Sequence, residues 1–192
     1  MWRDYFGDKA RIIGIDLNPE VKKFEKDGFE IFVGDQSDKN FWKDFFKKVG
    51  NVDIVLDDGG HTNEQQIVTL NECIRYINDP GMIIVEDTHA SYMKEFNNPS
   101  KESFINFSKK TIDYINYRFP NIGEKHDPYF SSIFSINFFE SIVCYNIDSK
   151  LCKKNLPVKN QGINFNHKDF RKGDPDKKKN LLNELKSTLN KE

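Results

Sequence analysis

The sequence predicts an α/β fold: a doubly wound, mostly parallel sheet finished by a C-terminal antiparallel hairpin. Three observations predict it. Short apolar runs alternate with amphipathic helical stretches through the first half of the chain. Those runs end in carboxylates or Gly-Asp pairs. Two further apolar runs lie back to back around Glu140-Ser141, as in a hairpin. Strands alternating with helices imply a parallel sheet with helices on its faces, and right-handed crossovers bring the strands' C-terminal ends to one edge.

Taken in order, Arg11-Ile12-Ile13-Gly14-Ile15-Asp16 is the first strand, and Asn18-Pro19-Glu20 supplies cap and first-turn residues for a helix over 18–26. Asp27-Gly28 breaks that helix, and 29–33 forms a second strand ending at Gly34-Asp35. Phe41, Trp42, Phe45 and Phe46 recur at helical spacing within 39–48. A third strand, 52–56, runs into Asp57-Asp58-Gly59-Gly60-His61. Thr62 or Asn63 caps the next helix, whose stripe of Ile67, Leu70, Ile74 and Ile77 runs to a stop at Asp79-Pro80-Gly81. Residues 82–85 are a fourth strand closing on Glu86-Asp87-Thr88-His89. A helix over 100–117 and strands over 133–139 and 142–147 complete one domain, 1–149. Residues 150–192 read as a polar, lysine-rich tail in which Leu181, Leu182, Leu185 and Leu189 mark a short helix.

The 192 residues suit one domain, and 17 Phe give it ample core material. A net charge of -1, from 29 basic and 30 acidic residues, argues against a nucleic-acid partner. Cys73, Cys144 and Cys152 are scattered and form no CxxC pair, which argues against a disulfide framework or thiolate zinc site. No apolar run approaches the roughly 20 residues that span a bilayer, and Met1-Trp2-Arg3-Asp4-Tyr5-Phe6 lacks a signal-peptide core. The expectation is a soluble cytoplasmic protein with no membrane partner.

In a parallel α/β sheet the ligand crevice lies outside the strands' C-terminal ends. Asp16, at such an end, suits the paired hydroxyls of a ribose, or else caps the Asn18-Pro19 turn. Gly34-Asp35-Gln36 would let a flat ring approach the backbone while a side chain meets an exocyclic amine; an ordinary turn is the alternative. The Asp57-Asp58 and Glu86-Asp87 pairs would repel one another without a counter-ion, and hard oxygen donors suit Mg²⁺, Mn²⁺ or Ca²⁺. His61, on a glycine-flexible loop three residues past Asp58, could serve as general base. The plain alternative is that Asp57 caps locally, His61 opens a helix and Glu86-Asp87 is a solvated strand end. His89 and His126 read as structural or solvent-facing, and Ser132, Asn137 and Glu140 as strand-surface polars that could line a substrate side.

Together Trp2-Arg3-Asp4-Tyr5-Phe6, Gly14-Ile15-Asp16, Asp57-Asp58-Gly59-Gly60-His61, Val85-Glu86-Asp87-Thr88 and the 135–143 stretch resemble the class I methyltransferase family of the macrolide-sugar O-methyltransferases and their cephalosporin hydroxylase-type relatives. The resemblance covers roughly residues 1–148. It implies a Rossmann-like sheet that binds S-adenosylmethionine, and Mg²⁺ (or Mn²⁺) that orients a sugar diol. By position it implies Asp58, Glu86 and Asp87 as metal ligands and His61 as base. Asp16, Gly34, Asp35, Gln36 and Asp57 fall on the cofactor side. The substrate would be a sugar-containing small molecule, and relatives often self-associate.

In the family a strand and a Gly-x-Gly-type loop precede the Trp-Arg-Asp-Tyr-Phe stretch, whereas Met1 stands directly before Trp2 here. The expectation is a fold without its first strand and glycine-rich loop, with neighbouring strand edges unpaired. Such a chain is a piece of a longer product, or is completed by a partner, or is a non-catalytic remnant acting as an interaction protein. A metal-dependent hydrolase or hydroxylase is a further alternative, with His61, His89 and Asp58 as an iron triad.

Overall fold

The computed structural model describes residues 1–96, 98, 100–118 and 127–152; His126 and the leucines of the expected tail helix lie outside them. A short helix α1 (Trp2–Phe6) leads into β1 (Ile13–Asp16) and a 3₁₀ segment (Pro19–Asp27). Then follow β2 (Glu30–Val33), α2 (Lys39–Val49), β3 (Val52–Asp57), α3 (Asn63–Cys73) and β4 (Ile77–Val85). After 3₁₀ turns come α4 (Phe104–Asn116) and the hairpin β5 (Ile133–Phe139) and β6 (Ile142–Ile147).

Local chemistry accounts for most boundaries. The Asn18 side chain accepts from the Glu20 amide and Pro19 fits the first turn, but the segment is 3₁₀ rather than α. Its apolar side chains are only Val21 and Phe24, and Phe24 is exposed, so little burial supports an α ladder. Asp38 caps α2, which buries Trp42, Phe45, Phe46 and Val49. Thr62 and Gln65 form a reciprocal capping box at the start of α3.

The expected helical stripe from Ile67 to Ile77 is cut short. The α3 helix ends at Cys73 and Ile77 belongs to β4, because Ile77 pairs with Val52 and the Val52 amide donates to Tyr76 O (2.9 Å). The ladder then skips to Ile54 opposite Met82, leaving residues 78–81 as an irregularity. Pro80, with no amide hydrogen, is tolerated there. Regular pairing resumes over 82–85, the strand the sequence predicts.

The strands form two ladders, not one continuous sheet. The β1 and β2 strands pair in parallel, and a separate four-stranded sheet has the order β3-β4-β6-β5. In that sheet β3 and β4 are parallel, while β6 runs antiparallel to both β4 and β5. Among the described residues, the second edges of β1 and β3 have no ladder partner. In the doubly wound order one further strand would fit between these two edges.

One core holds the ladders together. Leu70, Ile83, Val85, Phe104, Ile133, Val143 and Tyr145 are fully buried where α3 and α4 cover one face of the larger sheet. A fully buried side chain of this size contributes about 1.5–3 kcal/mol. Trp42, Phe45 and Phe46 of α2 join that core, and Ile13, Ile15 and Phe32 of the small ladder pack against it. The other face of the larger sheet presents Ile54 (47% exposed), Leu56 (37%) and Phe139 (63%). Phe139 pairs with Ile142, and Ile54 and Leu56 flank Met82 and Ile84 in register.

Candidate cation and cofactor site

The parallel strands β1 to β4 deliver their C-terminal residues to one edge, and most of the predicted site residues stand there. Asp57 ends β3 and is buried at 6% exposure. Its Oδ1 accepts from Gln36 Nε2 (2.9 Å) and the Gly59 amide (3.2 Å), whereas Oδ2 is buried with no partner. Burial pushes this carboxyl above its ordinary range, against the opposing pull of those hydrogen bonds and of His61 and Thr69.

Three residues meet as a ligand set. Ligand atoms of Asp58, His61 and Asp87 all lie within 4.8 Å of one another. His61 Nε2 is 3.3 Å from Asp87 Oδ2, and His61 Nδ1 is buried without a partner. Both His61 (φ 58) and Asp87 (φ 51) adopt the left-handed conformation, uncommon for residues other than glycine. Glu86 stands just outside this set. Its carboxyl is raised first by burial and then by the charges of Asp58 and Asp87. Its backbone is fixed, the amide donating to Asp57 O (2.9 Å) and the carbonyl accepting from Gln66 Nε2 (2.9 Å). Asp58, Asp87 and one imidazole converging at a rim, with Glu86 beside them, fit a hard divalent cation, which would offset the carboxylate charges that add to the rise at Glu86.

The imidazole in that set is His61 alone. His89 turns to Ser141 Oγ (2.5 Å) and lies 3.8 Å from Asp87 Oδ1, so among the described residues the His61, His89 and Asp58 triad is not assembled.

The residues expected on the cofactor side stand along the same edge with local partners of their own. Asp16 is exposed at the end of β1, and its Oδ1 accepts from the Asn18 amide (2.8 Å). Asp35 Oδ1 accepts from the Ser37 amide and hydroxyl (2.8 Å each), which lowers its pKa. A Cβ at Gly34 would lie 2.1 Å from the Phe41 ring, so that close approach is to α2. The Gln36 side-chain amide bonds Asp57, Thr69 and Gly60 along that edge.

Sequence reasoning missed Thr69, Gln65 and Gln66, which hold this edge from α3. The Thr62-x-x-Gln65 spacing was a readable capping-box signal for one of them. Nothing local marks Thr69 or Gln66, whose partners are 33 and 20 residues away. Ser135 and Asn137 on β5 instead form a cluster with Asn146 (2.9 and 2.7 Å). Ser132 bonds back to Tyr129 O, and Glu140 is exposed in the hairpin turn. Among the described residues no helix is long and apolar enough to cross a membrane.

No family model matches the sequence. Among curated proteins, the 8-demethyl-8-alpha-L-rhamnosyl tetracenomycin-C 2'-O-methyltransferase of Streptomyces olivaceus is 24% identical over 147 residues, covering 74% of this chain and 38% of that protein. The demethylmacrocin O-methyltransferase of Streptomyces fradiae is 24% identical over 139 residues, 66% of this chain and 35% of its own length. The mycinamicin VI 2''-O-methyltransferase of Micromonospora griseorubida reaches 29% over 98 residues, 50% of this chain and 24% of its own length. The chain thus spans well under half the length of these relatives. Among solved structures, the MycE methyltransferase of the mycinamycin biosynthetic pathway, in complex with Mg and SAH, superposes with a TM-score of 0.69 at 20% identity. That match covers 77% of this chain and 39% of MycE. The chain is thus similar in sequence to macrolide and sugar O-methyltransferases over half to three quarters of its length, and it shares the Rossmann-like fold of MycE.

Proposed function

We propose that this chain carries the cation- and cofactor-binding edge of an S-adenosylmethionine-dependent, Mg²⁺-assisted O-methyltransferase acting on a hydroxyl of a sugar-containing small molecule. The observation that carries the reading is the convergence of Asp58, His61 and Asp87 within 4.8 Å at the C-terminal edge of the parallel strands. Relatives named for methylation of rhamnosyl, macrocin and mycinamicin hydroxyls support the substrate class. Three free cysteines support a reducing, cytoplasmic setting.

Asp58 and Asp87, with Glu86 beside them, would hold the cation, as Asp16 and the 34–36 segment would hold the cofactor's nucleoside. When bound, the cation lowers the pKa of the acceptor hydroxyl and S-adenosylmethionine supplies an electrophilic methyl group. His61 would take the hydroxyl proton, and the Asp87 carboxylate 3.3 Å from its Nε2 would stabilise the resulting imidazolium. Held at Asp16 and the 34–36 segment, S-adenosylmethionine would supply the methyl group to that oxygen and leave as S-adenosylhomocysteine. The protein's main contribution is positioning.

Calorimetric titration of the 192-residue chain with S-adenosylmethionine, with and without Mg²⁺, beside a form extended upstream, tests this. Saturable binding that Mg²⁺ strengthens is expected, and no binding by either form would overturn the reading. The unpaired edges of β1 and β3 favour a second reading, a non-catalytic interaction protein. Cation binding without any cofactor binding would select it.

A further inference from the structure

The two ladders share no backbone hydrogen bonds, yet the Gln36 side chain hydrogen-bonds from the loop after β2 to the larger sheet. Gln36 lies three residues beyond β2, and every function of its amide is used on the far side. Its Nε2 donates to Asp57 Oδ1 (2.9 Å) and to Thr69 Oγ1 (3.1 Å). Its Oε1 accepts from the Gly60 amide (2.9 Å). At its other end the Gln36 carbonyl accepts from Trp42 Nε1 (2.8 Å), which fixes the strap to the small ladder's own helix.

Only a neutral amide can do this. A carboxylate at 36 could not donate to Asp57, and a cationic side chain could not accept from Gly60. The loop is shaped to receive it. A Cβ at Gly59 would lie 1.8 Å from Gln36 Oε1, and one at Gly60 would lie 2.3 Å from Gln65 Oε1. The 59–60 backbone therefore passes between two glutamine amides, and a side chain at either position meets one of them. His61, next along, is held in its left-handed conformation, and the capping box of α3 begins at Thr62.

We infer that Gln36 is a positioning residue that sets the Asp58–His61 loop for cation capture and couples that loop to the 34–36 segment assigned to the cofactor. This rests on the reading of Asp58 and Asp87 as cation ligands with His61 beside them as base. The Gln36 side-chain amide, used on Asp57, Thr69 and Gly60, touches neither cation nor cofactor in this role, which leaves the cofactor to Gly34, Asp35 and the 34–36 backbone. It acts by fixing where Asp57 and Gly60 place the residues between and beyond them.

The test uses Mn²⁺ alone as the probe on the 192-residue chain, with binding read by electron paramagnetic resonance and loop order by hydrogen exchange of the Gly60 amide. Gln36→Met keeps the length of the side chain and removes its hydrogen bonds. Gly59→Ala leaves Gln36 in place and drives its amide off the loop. Both variants are expected to weaken Mn²⁺ binding about tenfold, the scale of an orienting partner's loss. Both should also speed Gly60 exchange about tenfold, while amides in the centre of β6 exchange as before. Unchanged Mn²⁺ affinity, or unchanged Gly60 exchange in folded Gln36→Met protein, overturns the assignment. A wild-type chain that takes up no Mn²⁺ overturns the cation reading and with it the purpose given to Gln36. Gly60 exchange distinguishes that failure from failure of the strap.

Discussion

The two ladders of this protein are built on different principles. The β3-β4-β6-β5 sheet is held by continuous backbone pairing and by a face packed under α3 and α4. The β1-β2 ladder has four residues in each strand and one pairing. It is attached through side chains. Phe46 of α2 stacks on Tyr76 with centroids 4.2 Å apart, and Trp42 and Phe45 pack beside it. Arg11 reaches Val49 O (2.8 Å), and Gln36 crosses to Asp57. A parallel pair of this length is not independently stable. Its place therefore depends on aromatic burial rather than on the hydrogen-bond ladder usual between neighbouring strands. The candidate site draws on both regions, Asp16 and 34–36 from the small ladder and Asp57 to His61 with Glu86 and Asp87 from the large one. Its geometry is only as firm as their attachment.

The comparison breaks most readily at Phe46. Phe46→Ala should cost about 3–5 kcal/mol, because it empties the aromatic joint. Hydrogen exchange should then show β1 and β2 losing protection before β4 and β6. Uniform loss across both ladders would mean that they stand or fall as one unit. Next in size, Asp58→Ala should weaken Mn²⁺ binding roughly 100-fold or more, since it removes a ligand rather than an orienting partner. Electron paramagnetic resonance titration measures it, and a change below threefold would remove Asp58 from the cluster.

Asp57→Asn is the third test and carries a pH sign. Burial raises the Asp57 pKa in the folded protein, so ionising it costs stability. That contribution is intact below the ordinary value of 3.8 and is lost as pH rises through the raised value. An asparagine side chain at this position keeps the Oδ1 acceptor for Gln36 and Gly59 and has no charge to bury. Denaturant midpoints across pH should show the variant gaining on wild type as pH climbs from the ordinary value of 3.8 toward neutrality. A constant difference would mean that Asp57 does not titrate in that window. The smallest effect is expected on the open face of the larger sheet, where Ile54→Thr should change stability by less than about 0.5 kcal/mol and reduce binding of a hydrophobic dye. A cost above roughly 2 kcal/mol, far outside the surface range, would show that this face is covered in solution.

Much of this was readable before any coordinates. The apolar runs ending at Asp16, Val33, Asp57 and Val85 located the four parallel strands, and Glu140-Ser141 located the hairpin turn. The acidic strand ends pointed to the edge where Asp58 and Asp87 meet. The failures share a cause. Ile77 fits a helical stripe as well as it fits a strand, and its pairing with Val52 across 25 residues decided the matter. Thr69 and Gln66 likewise carry no local mark, because their partners lie 33 and 20 residues away.

By itself, then, the sequence determined the order of elements, their caps and the chemistry at the strand ends. Periodicity, capping and charge are properties of neighbouring residues. The tertiary structure decided that the sheet is interrupted between β1 and β3, that His61 and not His89 joins Asp58 and Asp87, and that Gln36 bridges to Asp57 and Gly60. Each of these depends on groups tens of residues apart in the chain, which only the packing of the shared core brings within hydrogen-bonding or coulombic reach.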